Sequence, residues 1–166
     1  ALTHWTGSRW QAGARLPDAK LGWVFIDRQG GHPAATNDRC AIRRWVSPID
    51  GTVSFHGTLQ HVPAEGNGVR GRLISSRHGI LGQWKVHHSE HSTRVGPIEV
   101  QVGDTIDLVV DFQDHITHDE HLWPVVISGE GTGTWDSQQD FKGAETDRWQ
   151  TYLQALLMTN EFVFID

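Results

Sequence analysis

The most constraining feature of this chain is a stretch that alternates strictly. In Thr52-Val53-Ser54-Phe55-His56-Gly57-Thr58-Leu59, Val53, Phe55, Gly57 and Leu59 fall on one side and polar residues on the other. A period of two places one face in a core and the other in water, which is the logic of a half-buried antiparallel strand. Similar runs recur at intervals with turn residues between them. They are Ala41-Ile42-Arg43-Arg44-Trp45-Val46, Val69 to Ser76, Ile80 to His88, Pro97 to Val102, Thr105 to Asp111 and Leu122 to Ser128. Asp50-Gly51, Gly66-Asn67-Gly68 and Gly103-Asp104 are the turns. About eight strands spaced in this way predict an all-β antiparallel β-sandwich of the jelly-roll kind over 1–128. Leu21-Gly22-Trp23-Val24-Phe25-Ile26-Asp27 is the first strand expected, and residues 1–20 show no sustained period.

Residues 129–148, rich in Gly, Thr, Asp and Gln, are expected to be a polar linker or loop. The end changes period. Trp149, Tyr152, Leu153, Leu156 and Leu157 fall at the spacing of an amphipathic helix, expected over 149–166 together with its tail. That stripe must be covered by this sandwich or by another domain of a parent protein.

At 166 residues the chain has the size of one domain that folds without disulfides. Its net charge of −6 and scattered basic residues offer no stripe for phosphates, so nucleic acid is disfavoured as a partner. No apolar run has the length of a membrane span. The single cysteine, Cys40, reads as a small buried residue without the neighbours of a nucleophile.

Eight tryptophans exceed what such a core needs, and sugars present flat C–H faces on which an indole stacks. Trp84, Trp123 and Trp45, on or beside expected strands, are candidate platforms, with Gln83 and Lys85 as polar neighbours; for any one ring the core is the favoured reading, and across all eight at least one exposed platform is expected. Histidines gather in two segments, His87, His88 and His91 with Glu90, and His115, His118 and His121 with Asp114, Asp119 and Glu120. Neutral imidazoles suit copper or zinc, so His87, His91, His115, His118 and His121 are candidate ligands if the segments converge; solvated loop histidines are the competing reading. No His-Glu-x-x-His occurs. Asp111, Asp114, Asp119, Asn37 and Asp38 supply oxygen donors suited to a structural calcium. Gly66-x-Gly68-x-x-Gly71 opens no helix and is no phosphate loop.

The tail from Trp149 to Asp166 resembles the C-terminal ending of large planctomycete-type cytochrome c domain proteins. Trp5 to Trp10, Leu21 to Pro33 and Ile42-Arg43-Arg44-Trp45 are similar to the module just before that ending. The resemblance implies an exported, extracytoplasmic accessory module of planctomycete or related origin. It carries no haem into this chain, which lacks Cys-x-x-Cys-His, and it transfers no catalytic residues. Jelly-roll modules of exported proteins often bind carbohydrate, an analogy of fold. The expectation is therefore a non-catalytic polysaccharide-binding module. A copper- or zinc-dependent enzyme acting on polysaccharide and a domain-docking module stand as alternatives.

Overall fold

A computed structural model describes residues 2–34, 40–131 and 133–143. The described residues form no helix, and their strands pair antiparallel in two sheets. The expected helix at 149–166 lies outside the described residues, as do Asn37 and Asp38.

The alternating run becomes β6 (Gly51–His61), the axis of the larger sheet. Along one edge of β6 lie β11 (His121–Leu122) and then β12 (Val125–Gly129), followed outward by β13 (Gly133–Asp136). The other edge is covered by β9 (Ser89–Val100). Beyond β11 the sheet continues through β4 (Gly30–His32), β3 (Phe25–Asp27), β2 (Arg9–Gln11) and β1 (His4–Trp5). The smaller sheet is ordered β5 (Ala41–Val46), β10 (Thr105–Phe112), β7 (Val69–Ser75) and β8 (Gly79–Val86).

The core lies between the sheets, as alternation demands. Val53, Phe55 and Leu59 of β6 cluster with Val69, Leu73, Ile106, Leu108 and Val110 of the smaller sheet. Gly71 is where the layers come closest. A Cβ there would stand 2.7 Å from Leu59 Cδ2 and 3.2–3.3 Å from the Trp123 ring, so the strand needs a residue without a side chain.

On the outer face of β10, Asp111 is 2 % exposed and balanced by two arginines. Arg70 donates to both carboxylate oxygens at 2.9 and 2.8 Å, and Arg72 donates to Oδ2 at 2.7 Å. Charged groups buried this deeply persist when paired and hydrogen-bonded.

Two segments differ from the sequence expectation. Residues 1–20, which lack a period, contain β1 and β2, and residues 133–136 of the expected linker form β13. Strands of two to four residues are too short to display alternation; neighbours in the sheet supply their hydrogen bonds.

Candidate functional site

Strand parity decides where each candidate side chain goes. Trp84 lies on the inner side of β8 and packs edge-on against Trp123, ring centroids 5.9 Å apart. Its neighbours Gln83 and Lys85 are exposed on the opposite face, so these three do not form one surface. Trp123 is 1 % exposed and its indole N–H donates to Thr93 Oγ1 at 2.8 Å, a ring spent in the core. Trp45 packs against Phe55 and Trp135 at 6.4 and 5.3 Å. The three rings expected as platforms thus serve packing.

The histidine segments do meet, through a residue sequence reasoning did not single out. His61, at the end of β6, is wholly buried. Its Nδ1 accepts the His88 backbone N–H at 3.2 Å, and its Nε2–H donates to the His118 carbonyl at 2.7 Å. His88 and His118 both adopt left-handed backbone, with φ of 46° and 63°, a conformation costly for residues other than glycine. His87 stands 5.7 Å from the His61 ring, centroid to centroid. The ring nitrogens of His87, His88 and His91 that meet carbonyls donate to Ala64, Val62 and Ser92. Opposite His61, His121 is buried at 2 % exposure, and burial pushes its pKa down to about 3. His115 is exposed. Among the described residues no three His, Cys, Asp or Glu side chains are grouped to hold a metal ion.

Of the expected calcium ligands, Asp111 has its oxygens engaged by arginine and Asp114 is exposed. Asp119 stands apart. It is wholly buried, neither carboxylate oxygen has a hydrogen-bond partner among the described residues, and loss of water raises its pKa to about 7.

The structure instead exposes a different tryptophan. Among the described residues Trp23 is the exposed one of its kind, at 54 %. It borders a cleft of about 490 Å³ on the β2–β3–β4 part of the larger sheet. Register builds the floor: Gln11 of β2 pairs with Phe25 of β3, which pairs with His32 of β4. The next step across is Glu120, one residue ahead of β11, whose His121 pairs with Gly31. A Cβ at Gly30 would collide with the His121 carbonyl, so glycine is what lets β11 bring Glu120 alongside His32.

The polar groups of the cleft are in defined states. His32 Nδ1–H donates to the Pro33 carbonyl at 2.8 Å, leaving Nε2 as an acceptor. Burial holds its pKa below the ordinary value, against smaller opposing effects of that hydrogen bond and Glu120. The Phe25 ring stacks on His32 at 6.5 Å, and the Arg9 guanidinium sits 4.9 Å over Phe25. Gln11 donates through Nε2 to the Gly13 carbonyl at 2.6 Å, while its buried Oε1 has no partner among the described residues. Thr6, Ala14 and Leu16 complete the rim. In sequence the one trace of this site is parity within the strands: Phe25 and Asp27 share a face, as do Arg9 and Gln11, while Trp23 precedes β3 in a turn.

Among the described residues no helix is long and apolar enough to cross a membrane. The chain matches no protein-family model, no curated protein and no solved structure, so the reading of this cleft rests on its own geometry.

Proposed function

We propose that the chain is a non-catalytic polysaccharide-binding module of an exported protein, a jelly-roll-like sandwich that takes its ligand in the Trp23 cleft. The observation that carries this reading is the Trp23 ring at 54 % exposure, beside a concave surface while the other candidate rings pack inward. An indole left in water forgoes roughly 1.5–3 kcal/mol of burial, which a flat apolar ligand face recovers. The volume falls in the range of about 300–1,000 Å³ typical of ligand sites. Arg9 brings donors, His32 Nε2 and Glu120 bring acceptors, and sugar hydroxyls match both kinds. Among the described residues one carboxylate, Glu120, lines the cleft, whereas glycoside hydrolysis ordinarily uses two flanking the bond.

The test is retention on a panel of soluble and insoluble polysaccharides, comparing the native chain with Trp23→Ala and with Lys85→Ala on the far sheet. Retention of the native chain and of Lys85→Ala, weakened at least about tenfold in Trp23→Ala, supports the proposal. Binding lost in Lys85→Ala and kept in Trp23→Ala moves the site to the smaller sheet. Absence of retention on every glycan overturns the binding-module reading.

A further inference from the structure

The charge arrangement of the cleft points to the class of glycan. We infer that the ligand is an acidic saccharide, bearing a sugar carboxylate or a sulfate ester, and that Arg9 receives the acidic group. This rests on the cleft being the glycan site.

Arg9 is held in place without spending its donors. Its guanidinium lies over the Phe25 ring, and Phe25 is itself buried and stacked on His32, so the cation is seated on a fixed support. A contact with an aromatic face uses the positive charge and leaves the N–H groups available. The Arg9 side chain makes no hydrogen bond or ion pair with the described residues. Arg44, Arg70 and Arg77 are different, since each is locked onto an aspartate. Asp27, the cross-strand partner of Arg9, turns Oδ1 onto the backbone N–H groups of Gln29 and Gly30 at 2.8 Å. An arginine oriented on a ring with its N–H fork unspent is suited to a planar carboxylate or a sulfate.

Glu120 gives the cleft a direction. Three strand spacings separate Glu120 from Gln11, and Arg9 lies two residues further along β2, so the Arg9 and Glu120 backbones stand about 16 Å apart along the floor. His32, neutral, lies between them. An acidic group is drawn to the Arg9 end and repelled from the Glu120 end, where hydroxyls are accepted instead. A chain in which acidic and neutral sugars alternate fits better than one charged on every residue.

The test is calorimetric titration with size-matched oligosaccharides in three arms: neutral, uronate-containing and sulfated, each at low and high salt. The native chain is expected to bind at least one acidic arm about tenfold or more tighter than the neutral arm, with the preference shrinking in high salt. Arg9→Gln is expected to erase that preference, weakening the acidic arm at least about tenfold more than the neutral arm; Arg9→Lys, which keeps the charge, retains part of it. Glu120→Gln is expected to strengthen acidic binding. The arm preferred tells carboxylate from sulfate. Equal affinity for neutral and acidic arms, or a preference that survives in folded Arg9→Gln, overturns the assignment of Arg9. In that case binding that still depends on Trp23 leaves the cleft as the glycan site, whereas no binding in any arm removes both.

Discussion

Asp119 is the group whose removal is expected to improve the protein, and only at one end of the pH scale. Its carboxyl is wholly buried and has no hydrogen-bond partner among the described residues, and desolvation lifts its pKa from the ordinary 3.8 to about 7. A carboxyl raised on folding favours the folded state where it is protonated and penalises it where it must ionise. At about 1.4 kcal/mol per pH unit, a rise of about three units costs about 4 kcal/mol of stability above pH 7. That cost fades as the pH falls and is absent below about pH 4. Asp119→Asn keeps the shape, carries no charge, and leaves an amide unsatisfied at about 1–3 kcal/mol. The variant is therefore expected to be about 1–3 kcal/mol more stable than the native chain at pH 8, and no more stable, or less, at pH 4. Buried His121 acts with opposite sign. Its pKa falls on folding, from 6.5 to about 3, so its stabilising effect is full above pH 6.5 and lost as the pH drops toward 3. Between about pH 4 and 6.5 the two slopes offset in the native chain, and Asp119→Asn uncovers the histidine slope, with stability rising by about 1.4 kcal/mol per pH unit. Urea unfolding followed by tryptophan fluorescence at pH 4, 6 and 8 measures this. A stability difference between the two proteins that is the same at all three values refutes the reasoning.

Two further outcomes concern the scaffold. Gly71→Ala puts a Cβ against Leu59 and Trp123 where the layers touch, and is expected to cost about 1–3 kcal/mol with an unchanged denaturant slope. Asp111→Ala leaves Arg70 and Arg72 without their shared anion; both are partly exposed and recover water, so a loss of about 2 kcal/mol is expected, below the usual 3–5 for a fully buried pair. Thermal unfolding of each variant checks these values, and neutrality in either removes the corresponding packing or pairing argument. Trp23→Ala, by contrast, is expected to leave the unfolding midpoint nearly unchanged while weakening glycan retention, because the ring is exposed.

Alternation and turn chemistry were sufficient for the central strands. The period of two in residues 52–59 identifies β6 and its inward side, and Ala41 to Val46 coincides with β5. His87 and His88, read as the end of a strand, form instead the turn between β8 and β9, because left-handed backbone at His88 breaks the pleat. Of the strand expected over Leu21 to Asp27 the last three residues form β3; β1, β2 and β4 were not legible, since two or three residues carry no period and exist through their neighbours' hydrogen bonds.

The candidate site depended on pairing even more. Sequence tells which residues share a face of a strand; it does not tell which face meets the other sheet until the strand is paired. Parity separates Trp84 from Gln83 and Lys85 in the sequence alone, yet that Trp84 goes inward was decided by where β8 docks, and Trp23 stays in water in the turn ahead of β3. The meeting of His118 and His88 across His61, the isolation of Asp119, and the placement of Glu120 beside His32 all join segments distant in the chain. The strand-forming character of the protein is a local property, and so its residues declare it. The cleft is made by contacts across 9, 23, 32 and 120, and only the folded sheet brings those together.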